Sequence, residues 1–133
     1  MRWNSVHYLF AILLAVGPLL LHATELEPPS LRCTAVAANG DVTLTWVVPP
    51  DPTNEFLQYE VFRADAAIGP FTLVTTIPVY AQTTFSDAGA NGNSASRFYY
   101  LTTVSTSAPP NTSVTSDTLA TLFVQVSQSV PLG

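Results

Sequence analysis

Lysine is absent from this chain, histidine occurs twice, and Cys33 is the only cysteine. Both histidines, His7 and His22, fall in the first 23 residues, so the rest of the chain has neither histidine nor lysine. Composition thereby excludes a Ser-His-Asp or Cys-His catalytic arrangement there, and a zinc site built from His and Cys ligands. One cysteine cannot form an intramolecular disulfide, and the fold must hold by packing alone. Basic charge is equally scarce, with Arg2, Arg32, Arg63 and Arg97 against nine Asp and Glu residues and a net charge of −5. An acidic surface without lysine cannot neutralise a row of phosphates, which argues against nucleic acid and anionic membrane surfaces as partners. These absences predict a protein that is not an enzyme and needs no cofactor or metal.

Only one long apolar run is present, from Trp3 to Leu21, and it follows Arg2. A charged start and an apolar middle have the pattern of a secretory signal, with cleavage expected after Ala23. The alternative is an uncleaved N-terminal anchor, for which the run falls somewhat short of the roughly 20 apolar residues that span a bilayer. Removing residues 1–23 leaves three arginines against nine carboxylates, near −6. The expected organisation is a signal peptide or anchor over 1–23, a linker over 24–27, one domain over 28–127, and a linker or tail over 128–133. Ser127 to Gly133 ends the strand pattern with polar residues and Pro131, which predicts continuation into further domains of a longer protein. The expected location is secreted or at the cell surface, with no membrane insertion of the mature domain.

From Pro28 onward, short β-branched and aromatic runs alternate with Pro, Gly, Asn and Asp. That rhythm predicts an all-β, immunoglobulin-like sandwich of about seven strands, near 31–37, 42–48, 57–63, 71–77, 83–86, 97–105 and 114–126. Alternation puts Val42, Leu44 and Trp46 on one face of the second strand, and Tyr59 and Val61 inward on the third, with Arg63 near the rim. The sixth strand admits two registers, and burying the larger apolar mass selects Phe98, Tyr100 and Val104 as inward, over Tyr99 and Leu101. Alternation places Leu31, Cys33 and Ala35 on one face of the first strand, predicting a buried Cys33 thiol that acts as a small hydrophobe. Asn39-Gly40-Asp41 suits a tight hairpin, and Pro49-Pro50-Asp51-Pro52 forces an extended crossing.

Several motifs then line up in order: Pro29-x-Leu31, Gly40-Asp41-Val42-x-Leu44-x-Trp46 followed by Pro49, Leu57-x-Tyr59-x-Val61-x-Arg63, Gly69-Pro70-Phe71, Thr84-Phe85-x-Asp87-x-Gly89, and Phe98-Tyr99-Tyr100. Together, over about residues 28–127, they resemble a fibronectin type III domain. Leu31-Arg32-Cys33 ahead of Gly40-Asp41-Val42 is similar to modules of large bacterial surface proteins with a gliding-motility-associated C-terminal sorting domain. The resemblance implies a non-catalytic exported module, a spacer or an adhesion and protein-interaction element. A second reading is a carbohydrate-binding or hydrolase-associated accessory module whose catalytic domain lies outside this chain. The partner is thus an unknown protein or carbohydrate.

The remaining candidate chemistry is carried by carboxylates. Glu55 with Glu60, or Asp51 with Asp87, could pair on paper for glycoside hydrolysis, but solvated acids are the expected reading. Asp87-Ala88-Gly89-Ala90-Asn91-Gly92 echoes the start of a calcium loop, yet Phe98 stands where a bidentate Glu is required, so a turn is expected. Asn111-Thr112-Ser113 is a formal glycosylation acceptor, and Arg63-Ala64-Asp65 lacks the glycine of an Arg-Gly-Asp tripeptide. Phe56, Phe62 and Tyr80 could cluster as an exposed aromatic patch. A coplanar row of aromatics would favour sugar binding, and a polar Thr-rich face the spacer.

Overall fold

The computed structural model describes residues 25–107 and 110–123. The expected signal or anchor over 1–23 and the expected linker over 128–133 lie outside the described residues. Seven strands form: β1 Ser30–Val36, β2 Val42–Val47, β3 Phe56–Ala64, β4 Thr72–Ile77, β5 Thr84–Asp87, β6 Phe98–Ser105 and β7 Leu119–Ala120. They make a three-stranded sheet in the order β1-β2-β5 and a four-stranded sheet in the order β4-β3-β6-β7, every pairing antiparallel. This is the all-β sandwich that the turn spacing predicts, and no described helix is long and apolar enough to cross a membrane.

The core lies between the two sheets. On β2, Val42, Leu44 and Trp46 point inward while Thr43 and Val47 are exposed. Tyr59 and Val61 of β3 meet them, with Leu31, Ile77, Tyr99 and Leu101 completing the cluster. The Trp46 ring meets Tyr59 edge-on, centroids 5.9 Å apart, a geometry that aligns the ring edge with the electron-rich face. Gly92 comes so close to β2 that a Cβ added there would lie 2.7 Å from Val42 Cγ2, and its amide donates to the Gly40 carbonyl at 2.9 Å.

Three expectations are corrected. The first is the register of β6. Tyr99, Leu101, Thr103 and Ser105 face the core, while Phe98 and Tyr100 are half-buried on the outer face. Paired residues share a face, and because Tyr59 and Val61 are inward, their partners Thr103 and Leu101 must be inward as well. Apolar mass misleads because both faces of β6 are covered: Val104 and Thr102 are buried on the outer side. The polar residues turned inward are satisfied, Thr103 Oγ1 donating to the Glu27 carbonyl at 2.9 Å.

The second correction is Cys33, which is exposed. A β-bulge between Leu31 and Cys33 inserts one residue and inverts the alternation, so that Leu31 faces inward but Thr34 pairs with Leu44 in place of Cys33. The third is the last strand, where only Leu119–Ala120 pairs regularly out of the expected 114–126, of which 124–126 lie outside the described residues. Upstream, serines replace the ladder. The Ser113 amide donates to the Thr103 carbonyl, and Ser113 Oγ accepts from the Thr103 amide at 2.9 Å. Ser116 does the same with Leu101.

Strand directions put the two described ends at opposite poles. Ser30 at the start of β1 lies opposite Val47 at the end of β2, beside the β2–β3 and β4–β5 loops. The Thr121 amide donates to the Arg97 carbonyl just before β6, beside the β1–β2, β3–β4 and β5–β6 loops. These are called the N-terminal and C-terminal poles below.

Candidate functional site

At the C-terminal pole a buried carboxylate ties the two sheets together. Asp87, at the end of β5, is 5% exposed. Its Oδ2 accepts from Arg63 on β3 and from the Tyr99 hydroxyl on β6, both at 2.8 Å. Burial pushes the Tyr99 hydroxyl well above its ordinary value, and the Asp87 carboxylate it donates to pushes it further. Burial alone would lower the Arg63 pKa, but the hydrogen bond and charge of Asp87 outweigh it and the net shift is upward. Arg63, expected near the rim, is therefore an inter-sheet strut. A groove of about 430 Å³ opens beside it, lined by Ala64, Asp65, Ala66, Gly69 and Pro70.

The neighbouring loops are polar and self-satisfied. Asp41 accepts from the Gly89 amide at 2.8 Å and from Asn39 Nδ2 at 2.7 Å, and these bonds hold its carboxyl below the usual range. The stretch 87–92 expected as a turn is used this way, with Asn91 at φ +55° and Gly89 at φ +73°. Among the described residues no group of three His, Cys, Asp or Glu side chains gathers to hold a metal.

The paired carboxylates considered above are not brought together. Asp51 caps the β2–β3 loop at the N-terminal pole, accepting from the amides of Glu55 and Phe56, while Asp87 sits at the opposite pole. Glu55 stands just before β3 and Glu60 within it, five positions on, roughly 16 Å of extended chain. Glu60 is engaged by its own sheet, accepting from Gln58 Nε2 and from Thr102 Oγ1, each at 3.3 Å. In the Asn111-Thr112-Ser113 sequence the Ser113 hydroxyl is engaged, donating to the Val114 carbonyl at 2.7 Å.

The aromatic side chains form two groups. Phe56 and Tyr80 do meet, 5.3 Å apart, and continue inward through Tyr59 to Trp46. The Tyr59 hydroxyl donates to the Tyr80 carbonyl, and the Tyr80 hydroxyl to the Pro49 carbonyl at 2.6 Å, which pins the N-terminal pole loops. Phe62 belongs elsewhere. It stacks on Tyr100 across the outer face of the four-stranded sheet, centroids 4.8 Å and planes 23° apart, and Phe71 leans on Tyr100 at 4.7 Å. Leu73, paired with Phe62, extends this row to the β4 edge. Rings this close and nearly parallel cover each other's faces. They are not the coplanar row that would offer open faces to a sugar. The Phe62–Tyr100 pair was hidden in the sequence by the register ambiguity of β6, although the Val61–Leu101 match held the signal for it.

Comparison of whole chains places this sandwich among known ones. A fibronectin type III-like protein from Clostridium thermocellum superposes with a TM-score of 0.60 at 19% identity, over 79% of this chain and 100% of that one. The sixth fibronectin type III domain of human fibronectin type III domain containing protein 3 superposes at 0.54 with 13% identity, over 80% and 92%. The chain has the fibronectin type III fold. Part of a β-1,2-glucanase from Parabacteroides distasonis also superposes, with a TM-score of 0.59 at 17% identity, over 77% of this chain but only 14% of the glucanase. No family model matches the sequence. No curated protein matches it either.

Proposed function

We propose that this fibronectin type III-fold domain is a non-catalytic module of a secreted or cell-surface protein, a spacer that also makes protein contacts. The observation that carries the proposal is the position of the two described ends. Ser30 and Thr121 lie at opposite poles, so whatever precedes and follows is held apart by the length of the sandwich. The nine residues of β3 alone span roughly 30 Å. The carboxylates support a non-catalytic reading, since Asp41, Asp51 and Asp87 each bind backbone or side-chain donors of the fold. The similarity of Leu31-Arg32-Cys33 and Gly40-Asp41-Val42 to gliding-motility-associated surface modules supports the surface location.

Mass spectrometry of fractionated source cells tests the proposal. Peptides from residues 25–123 are expected in the secreted or surface fraction, joined to flanking sequence in a larger product. Peptides confined to the cytosol would overturn it.

The second reading, an accessory module for carbohydrate, is favoured by the similar region inside a β-1,2-glucanase. Affinity electrophoresis through gels of soluble glucan or pectin separates the two. Retardation of the chain would support the accessory reading, and unchanged mobility the spacer.

A further inference from the structure

Most carboxylates of the chain are committed to the fold. Asp41, Asp51 and Asp87 accept from its donors, Asp65 pairs with Arg97 at 3.3 Å, and Glu60 accepts from Gln58 and Thr102. Glu25, Glu27 and Asp117 are different. They are exposed and, among the described residues, their side chains have neither an ion pair nor a hydrogen bond. All three line two adjoining grooves on the side of the N-terminal pole. One of about 430 Å³ lies between Glu27, Pro28, Pro29 and Ser30 on one wall and Val114–Asp117 on the other. A smaller one of about 200 Å³ joins Glu25 and Leu26 to Pro50 and Pro52, and Glu27 lines both.

The larger groove is built into the fold. β1 and the stretch 113–121 run the same way, since Ser113, Ser116 and Thr121 bond Thr103, Leu101 and Arg97 in turn. The two come together where Thr34 Oγ1 donates to the Ala120 carbonyl at 3.2 Å, and stand apart at the Ser30 end. Thr103 holds both walls there. Its hydroxyl donates to the Glu27 carbonyl at 2.9 Å, while its main chain bonds Ser113 on the other side. A groove held open in this way needs little ordering to receive a ligand. Pro28, Pro29 and Val114, the last 68% exposed, make its apolar surface, with Glu27 and Asp117 as its charges. The backbone amide and carbonyl of Thr115 have no partner among the described residues.

We propose that this groove binds an extended basic segment of a partner protein. Lysine or arginine stems lie on Pro28, Pro29 and Val114, and their cations are met by Glu27 and Asp117. Charge selects this partner. Arg63 and Arg97 are held by Asp87 and Asp65 at the opposite pole, and Arg32 on β1 pairs with no carboxylate. The groove therefore keeps unbalanced negative charge, which attracts cations and turns away a second copy of a chain at −5. The free main chain of Thr115 suits an extended segment, which brings backbone donors and acceptors of its own. This deepens the protein-contact part of the spacer reading and rests on that part.

An NMR titration of the isotope-labelled full chain with a pentalysine peptide tests this. Amide shifts are expected at Glu27, Ser30, Thr115 and Asp117, and raising salt from about 20 to about 200 mM should weaken binding severalfold. Glu27→Gln and Asp117→Asn should each raise the Kd about two- to fivefold, the range of one exposed ion pair. Val114→Lys, which puts a cation into the groove, should raise it at least about tenfold. Asp65→Asn and Ile68→Lys make the same charge changes at exposed positions of the opposite pole and should leave the Kd within about twofold. No shift at millimolar peptide would overturn the proposal, as would shifts spread over both poles or losses in the two controls equal to those in the groove variants. Groove amides that move with about 1 mM calcium but not with the peptide would overturn it in favour of a metal ion. None of these outcomes touches the cell-fraction result, so this proposal and the surface reading fail separately.

Discussion

Two residues show how much one position can decide. Trp46 is 2% exposed at the centre of the sandwich, and Trp46→Ala should cost about 3–5 kcal/mol through lost burial and the cavity left behind. A denaturant midpoint that hardly moves would show that the core does not depend on the ring. Asp87 acts by a different route. Asp87→Ala leaves the Arg63 guanidinium and the Tyr99 hydroxyl without their shared acceptor, and the expected loss is about 2–3 kcal/mol, held down because Arg63 is partly solvated. Urea titration of Asp87→Ala against Tyr99→Phe checks it, the latter losing less because it removes one bond and strands no charge. Cys33, exposed on β1, should react stoichiometrically with a thiol reagent in the native state. Labelling only on unfolding would contradict the bulge that turns it outward.

Among the elements, β6 and the segment after it depend on each other. Ser113 and Ser116 take the place of a strand by offering their hydroxyl oxygens to the amides of Thr103 and Leu101. Each serine is buried, whereas Val114 and Thr115 between them are exposed. Ser113→Ala and Ser116→Ala should therefore each cost about 1–3 kcal/mol by leaving a buried amide unbonded. Thr115→Ala, on the exposed side, should stay within about 0.5 kcal/mol. Hydrogen exchange provides a local reading: the Thr103 amide should lose protection in the first variant and the Leu101 amide in the second. Equal effects from all three substitutions would show that the serines are bystanders.

For the whole molecule, pH acts through buried phenols at one limit and a loop carboxylate at the other. Burial raises the hydroxyl pKa of both Tyr59 and Tyr99 in the folded state. Unfolded tyrosines ionise near pH 10 while these two keep their protons, so the unfolded state is favoured and stability falls as pH rises above about 10. In acid the sign is reversed. The Asp41 carboxyl is held below its ordinary value by the Gly89 amide and Asn39, a contribution present above about pH 4 and lost as pH falls through the folded value. Thermal melts across pH should show a plateau between these limits. Tyr99→Phe should soften the alkaline fall and Asp41→Asn the acid one. Unchanged alkaline melts in Tyr99→Phe would assign that limit to other groups.

Local pattern sufficed wherever one face of a strand is wet. The alternation of Val42, Leu44 and Trp46 against Thr43 and Val47 is explicit in β2, and the turns at Asn39-Gly40 and Pro49-Pro50 bound it, so the sandwich class was legible from the chain alone. Pattern failed where both faces are covered or the period is broken. β6 carries apolar and hydroxyl side chains on both sides, and its register follows from pairing Leu101 with Val61 and Thr103 with Tyr59, which only the assembled sheet supplies. A bulge is a property of two strands, so the inversion that exposes Cys33 cannot be read from β1 by itself. The same holds for the Arg63–Asp87–Tyr99 strut and the Phe62–Tyr100 stack. Each joins residues 12 or more positions apart in the chain, and their meeting is decided by strand order, not by local sequence.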